Sequence, residues 1–250
     1  MDRVRVETVD RVAIVTLSDP TRRNAMTATM VQEIVETFDR LEASDDVGAV
    51  VVTGEAPAFC SGADLSDLGD LAGSDSRERQ GIVSIYEGFL RVLRSSLPVV
   101  AAVNGPAVGA GMNLALACDV RLTGASGRFD ARFVRIGLHP GGGHTWMLDR
   151  IVGPQAAAAI VVFGEVVDGP RAVEIGLAWS SHPDDELHAA ALRLAARAAG
   201  VPKPLSARAK QTLREVPWQP DFESALATEV EHQTWSLGQG WFRPTPPPQR

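Results

Sequence analysis

Apolar and polar residues follow two different spacings along the first hundred residues. Residues 4–9 and 12–17 are rich in β-branched side chains and predict two strands. Between 27 and 41, apolar residues recur every three or four positions, which predicts an amphipathic helix. Two more apolar runs, 49–53 and 98–103, predict buried strands, and this alternation is typical of an α/β fold with parallel strands. The helix expected between these runs has one apolar face, made of Ile82, Ile85, Tyr86, Phe89, Leu90 and Leu93.

The pattern becomes helical in the last third of the chain. Residues 184–199 are rich in alanine and predict one helix, and a second is predicted over 206–214, after a segment with two prolines. We therefore divide the chain into a core of residues 1–185, a helical C-terminal region of residues 186–237 and a proline-rich tail of residues 238–250.

Two turns rich in small residues come directly after the strands predicted at 49–53 and 98–103. The first is residues 59–65 (FCSGADL) and the second is residues 104–113 (NGPAVGAGMN). Each leads into a segment that can start a helix, where backbone N–H groups are free and the helix dipole is positive. Such an end suits an anion or a carbonyl oxygen that gains negative charge, so the two turns together predict a two-donor oxyanion hole.

A dinucleotide or phosphate site is the main alternative for the second turn. Its glycines, Gly105, Gly109 and Gly111, are spaced G-x-x-x-G-x-G, whereas the dinucleotide fingerprint is G-x-G-x-x-G. The Gly-Lys-Ser/Thr of a phosphate-binding loop does not follow either. The spacing therefore favours the oxyanion hole.

The chain resembles the enoyl-CoA hydratase/isomerase (crotonase) superfamily at both turns. Residues 17–26 (LSDPTRRNAM) are similar to the family's P-x-x-x-N-A segment, and residues 136–145 (IGLHPGGGHT) are similar to its glycine-rich loop. The four segments come in the family's order, within a resemblance that extends over residues 4–216.

The resemblance implies a core of repeated ββα units, a helical C-terminal region that forms trimer contacts, and a homotrimer or hexamer. It also implies an acyl-CoA or enoyl-CoA ligand and no separate cofactor or metal, because the CoA moiety is part of the substrate. The backbone N–H groups of Ala63 and Ala110 would hold the thioester oxygen. The residues that the resemblance places along the CoA are Arg22, Arg23, Ala25, Ser61, Gly62, Asp64, Leu65 and Gly109.

The chain departs from the family at its catalytic carboxylates. The two glutamates of the family's hydratases fall at Asn113 and Phe133, and the acid that some relatives have in the glycine-rich loop falls at Gly141. Asparagine can orient water but cannot accept a proton at ordinary pH, and phenylalanine can do neither. The departure therefore argues against standard hydration.

Two histidines of the glycine-rich loop are candidates for the missing acid–base groups. A neutral imidazole near pH 7 can act as base or acid, so His139, His144 or water held by Asn113 could substitute. The structural alternative is that His139 fixes the turn before Pro140, and that His144 caps the next helix. The nearby carboxylates Asp130 and Glu87 are expected to face solvent.

Composition limits the remaining possibilities. The chain has 250 residues and a net charge of −7, which argues against a nucleic-acid partner. The two cysteines lie within apolar or motif segments, and this predicts free thiols. The N-terminus begins directly with a strand pattern, and we expect a cytoplasmic protein with no membrane span. Two functions stay open: an enzyme with a non-standard active site, and a non-catalytic acyl-CoA-binding or scaffold protein.

Overall fold

The computed structural model describes residues 2–64 and 75–243, and it describes the side chains of the helix that begins at Asp75 from residue 84 onward. Leu65 and the prolines of the tail lie outside the described residues. The strands are β1 (Val4–Val9), β2 (Val12–Leu17), β3 (Ala49–Gly54), β4 (Val99–Val103), β5 (Pro106–Val108), β6 (Val120–Gly124), β7 (Arg128–Asp130), β8 (Val167–Asp168) and β9 (Ser180–His182). The α-helices are α1 (Ala28–Ala43), α2 (Asp75–Arg94), α3 (Ala110–Ala117), α4 (His144–Val161), α5 (Gly169–Glu174), α6 (Asp184–Ala199), α7 (Lys203–Glu215) and α8 (Phe222–Gly238).

The larger sheet has the strand order β1-β2-β3-β4-β6-β9. Only the first pair of this sheet is antiparallel, and the other four pairs are parallel. A smaller sheet has the order β5-β7-β8, with β5 parallel to β7. The prediction of an α/β fold with parallel strands and crossover helices is confirmed. The sequence did not predict β5, β7, β8 and β9, because strands of two or three residues are too short to show a hydrophobic pattern.

Alternation along the central strands separates two hydrophobic cores. Val50 and Val52 of β3 face the larger core, and Ala49 and Val51 face the smaller one, because successive strand residues point to opposite faces. The small residues on one face of α6 cover the smaller core. The larger core contains buried residues of α1, α2 and α3 and surrounds the two glycine turns.

The first predicted helix is present and has an N-terminal cap. Thr27 accepts a hydrogen bond from the backbone N–H of Met30 at 3.2 Å, which satisfies one free donor of α1. The apolar positions that predicted this helix are all buried: Met30, Ile34, Phe38 and Leu41.

The C-terminal helices differ in length from the prediction. Helix α7 begins at Lys203, three residues earlier than expected, because Pro204 lies in the first turn, where its missing N–H costs nothing. Helix α4 extends from His144 to Val161 through a break at Gly153. In the part of the chain that the structure describes, none of the helices combines the length and apolar character needed to cross a membrane.

Candidate active site

The two glycine turns lie side by side. The N–H of Cys60 donates to Pro106 O at 3.1 Å, and the N–H of Val108 donates to Cys60 O at 2.9 Å. A Cβ atom at Gly62, where φ is +98°, would lie 2.6 Å from Val108 O, so only glycine allows this approach. The sequence therefore brings the first turn into direct backbone contact with the second.

Two backbone N–H groups are left free where the turns meet. Ala110 is the first residue of α3 and follows Gly109, whose φ is +52°. Within residues 2–64 and 75–243, neither its N–H nor that of Ala63 donates to a protein acceptor. A Cβ at Gly62 would lie 3.5 Å from Ala110 N, which places the two donors in neighbouring backbone segments. The positive end of α3 adds to the attraction for an oxygen carrying negative charge.

Both turns open into a cavity of about 500 Å³. Most of the residues that the sequence singled out line it: Arg22, Ala25, Ser61, Gly62, Ala63, Asp64, Gly109, Ala110, Asn113 and His139. Arg23 and His144 are not in the lining. Arg23 instead accepts a hydrogen bond from the Ser61 N–H through its backbone oxygen at 3.0 Å, so it supports the first turn.

Phe133 and Gly141, which the sequence placed at the positions of the family's acids, also line the cavity. Sequence reasoning did not assign the remaining residues of the lining to the site. They are Ile85, Tyr86, Val108, Ala131, Arg132, Ile136 and Leu138. Most are apolar, and Ile136 and Leu138 are 45% and 43% exposed, which is unusual for large aliphatic side chains. One signal was available for Tyr86, which is the single polar group on an otherwise apolar helix face.

Asn113 is fixed by hydrogen bonds at both ends of its amide. Its Nδ2 donates to Gly141 O at 3.0 Å, and its Oδ1 lies 2.6 Å from Nδ1 of His144. Only an NH₂ group can donate to a carbonyl oxygen, so the first contact sets the orientation of the amide. The oxygen must then face His144, whose Nδ1 carries the proton of this hydrogen bond. Asn113 thus joins α3 to the glycine-rich loop.

His144 is buried beside the cavity wall. Burial lowers the pKa of its imidazole from 6.5 to about 4, and its Nε2 has no hydrogen-bond partner in the described structure. Its ring meets the edge of Phe133 at a centroid distance of 5.1 Å. At neutral pH this histidine is therefore uncharged. His139, in contrast, is exposed, and its Nδ1 lies 2.8 Å from Pro140 O.

The carboxylates near the site are held in ion pairs. Asp64 lies 3.4 Å from Arg22, and Glu87 lies 3.0 Å from Arg94. Asp130 is buried, so the expectation that it faces solvent was wrong. It contacts two guanidinium groups, at 2.7 Å in Arg132 and 2.5 Å in Arg135. Arginine pairing allows an ionised carboxylate to be buried, and sequence spacing alone did not reveal these partners.

Among the residues that the structure describes, the reactive side chains outside the cavity form no second centre of this kind. Cys60 and Cys118 are both buried and unpaired, and burial raises the pKa of each thiol to about 12. No group of three or more histidine, cysteine, aspartate or glutamate side chains that could hold a metal ion occurs among the described residues.

The spiral of short strands and crossover helices around two glycine turns defines a protein of the crotonase fold. A crystallised enoyl-CoA hydratase-type protein from Thermobifida fusca, in complex with CoA, matches this structure with a TM-score of 0.84 at 30% identity, over 95% of this chain and 94% of that one. The sequence model of enoyl-CoA hydratase/isomerase matches residues 7–234, and the chain belongs to this family.

Two curated relatives agree with that assignment. The probable enoyl-CoA hydratase EchA14 of Mycobacterium tuberculosis is 49% identical over 213 residues, which are 85% of this chain and 82% of the relative. The 2,3-dehydroadipyl-CoA hydratase of Escherichia coli K12 is 33% identical over 217 residues, or 86% of this chain and 83% of the relative.

Proposed function

We propose that this chain binds acyl-CoA thioesters and polarises their carbonyl between the N–H groups of Ala63 and Ala110. The observation that carries the proposal is the pair of free donors at the wall of a largely apolar cavity. The CoA in the similar Thermobifida fusca structure supports the choice of ligand. Arg22, at the rim of the cavity, adds a cation suited to the CoA phosphates.

The geometry does not favour hydration of an enoyl-CoA by the acid–base mechanism of the family's hydratases. Addition of water needs a base for the water and an acid for the α carbon, and such groups typically contribute about 10²–10⁴-fold each. Asn113 and Phe133 supply neither, and the lowered pKa of His144 leaves it a weak base with its Nδ1 already engaged. What the described cavity offers is stabilisation of a thioester oxyanion by two backbone donors.

We therefore place the chain among acyl-CoA enzymes with a non-standard acid–base arrangement, in which exposed His139 of the cavity lining is the candidate acid–base side chain. The second candidate is a non-catalytic acyl-CoA-binding protein. It is favoured by one observation: the one carboxylate in the described lining, Asp64, is paired with Arg22.

Calorimetry with butyryl-CoA and longer acyl-CoA esters tests the binding proposal. Heat of binding is expected for at least one ester. The absence of a heat signal with every ester would refute the binding proposal. Product analysis with each bound ester, in wild type and His139→Ala, then separates the two candidates. Turnover that is lost in His139→Ala supports the enzyme, and the absence of turnover with every ester supports the binding protein.

We also propose that the chain forms homotrimers or hexamers through its C-terminal region. Helices α7 and α8 and the segment after α4 expose large apolar side chains that a partner subunit would cover. The most exposed of them are Val162, Phe163, Leu213, Phe222 and Leu237.

A further inference from the structure

Tyr86 differs from every other polar side chain that lines the cavity. Its hydroxyl has no hydrogen-bond partner in residues 2–64 and 75–243, although the side chain is half-buried on α2. The other polar side chains of the lining all have a hydrogen-bond or ion-pair partner in the protein: Arg22, Ser61, Asp64, Asn113, Arg132 and His139. The hydroxyl lies at the cavity with its hydrogen bond unused by the described part of the protein, so an oxygen of a bound ligand can accept that bond.

The place of the Tyr86 hydroxyl in the cavity is set by the glycine-rich loop. A Cβ atom built on Gly141 would overlap the hydroxyl oxygen and lie 3.1 Å from the ring carbon Cζ. The hydroxyl therefore occupies the space that any side chain at position 141 would need. Some relatives have their loop acid at this position, so in this chain a phenol takes the place of that carboxyl group.

The same loop connects Tyr86 to the proposed oxyanion hole. Asn113 lies one helical turn after Ala110 on α3, and its amide is bonded to the oxygen of Gly141. The hydroxyl therefore adjoins the loop residue whose oxygen holds the Asn113 amide, one helical turn from the Ala110 donor. An acyl chain that follows this wall from a carbonyl bound between Ala63 and Ala110 would reach Tyr86 within its first few carbons.

The neighbouring groups make the phenol a hydrogen-bond donor. Burial raises the pKa of Tyr86, so the hydroxyl keeps its proton at neutral pH. Large apolar residues, among them Ile85, Phe133 and Leu138, make up much of the surrounding wall. A donor with an apolar surrounding discriminates strongly between ligands with and without a matching oxygen.

We propose that Tyr86 is a specificity-determining residue whose hydroxyl donates a hydrogen bond to an oxygen on carbon 3 of the acyl chain. The inference rests on the proposed binding of acyl-CoA at Ala63 and Ala110. It selects acyl groups that carry a 3-oxo or 3-hydroxy oxygen over the plain hydrocarbon chain of the same length.

The test compares three CoA esters of equal chain length, acetoacetyl-CoA, 3-hydroxybutyryl-CoA and butyryl-CoA, by calorimetry with wild type and Tyr86→Phe. Loss of one hydrogen bond should weaken binding of the two oxygenated esters about fivefold. Butyryl-CoA should bind both proteins equally, because it offers the hydroxyl no acceptor at carbon 3.

A second measurement needs no variant. Tyr86 is the only tyrosine of the chain, so protein labelled with ¹³C at tyrosine Cζ gives one signal from this phenol. The signal should move on addition of acetoacetyl-CoA by more than it does with butyryl-CoA.

The outcomes distinguish a failure of the proposed function from a failure of the role of Tyr86 alone. If wild type bound none of the three esters, the proposed function and this inference would fall together. If it bound all three, while Tyr86→Phe changed none of them selectively and the Cζ signal moved equally with acetoacetyl-CoA and butyryl-CoA, the role of Tyr86 alone would be overturned.

Discussion

Burial of His144 makes the stability of the folded chain depend on pH in a defined window. The folded pKa is about 4, compared with the ordinary value of 6.5. Below pH 6.5 the unfolded chain takes up a proton at this histidine and the folded chain does not. The folding free energy that depends on a neutral His144 is therefore fully present above pH 6.5, and it is lost as the pH falls towards 4.

The magnitude follows from these two values. One pKa unit corresponds to about 1.4 kcal/mol, so moving from pH 7 to pH 5 should cost about 2 kcal/mol of folding free energy at this residue. The side chain is 1% exposed, so solvent does little to screen the effect. The positive N-terminal end of α4, where His144 lies, also disfavours a cation there.

Urea unfolding at pH 7 and pH 5, at one protein concentration, measures this loss in wild type and in His144→Asn. Asparagine has an amide nitrogen near the position of Nδ1 and can still donate to Asn113, but it does not titrate. Because the other acidic and histidine groups are common to both proteins, the difference between the two pH dependences isolates His144. Wild type should lose about 2 kcal/mol more than the variant. Identical pH dependences would show that His144 is not held neutral, and the reasoning about its burial would be wrong.

Three further predictions concern catalysis, packing and assembly. Crotonyl-CoA hydration should be very slow in wild type. It should become at least about 100-fold faster when Asn113→Glu and Phe133→Glu are combined, because each carboxylate supplies part of the acid–base chemistry. An unchanged rate would show that the alignment of these positions is misread. Gly141→Ala should destabilise wild type by about 1–3 kcal/mol, and by less in Tyr86→Phe, where the overlapping oxygen is gone; equal costs in urea unfolding would contradict the packing described here. Light scattering at micromolar concentration should give the mass of a trimer or hexamer, and a stable monomer would refute the proposed association.

The glycine turns could be read from the sequence because their chemistry is local. Gly62 and Gly109 adopt positive φ values that other residues rarely adopt, and Gly109 lies between β5 and the start of α3. The alternation of Val50 and Val51 between two cores was likewise predictable, because side-chain direction in a strand has a period of two residues.

The polar contacts of the site depend on approaches between distant segments and could not be predicted in this way. The pairing of Asn113 with His144 joins residues 31 positions apart, and it lowers the value of both as acid–base groups. Asp130 was expected in solvent because its arginine partners become neighbours only when the short helical turn after β7 forms. Tyr86 looked like one more core residue, since a helix face does not show which of its members meets a cavity.

The central claim is that the N–H of Ala110 holds the thioester oxygen, and one substitution tests it directly. Ala110→Pro removes this N–H, and proline is tolerated at the first position of a helix. Proline disfavours the α region for the residue before it, and Gly109, with ψ of −114°, lies outside that region. Ala28→Pro, at the first position of α1 after extended Thr27, is the matched control at a residue outside the cavity lining. In calorimetry, Ala110→Pro should bind butyryl-CoA about tenfold more weakly than wild type, and the affinity of Ala28→Pro should be unchanged. Free CoA, which has no thioester carbonyl, should bind equally to all three proteins. Undiminished affinity of folded Ala110→Pro for butyryl-CoA would contradict the account.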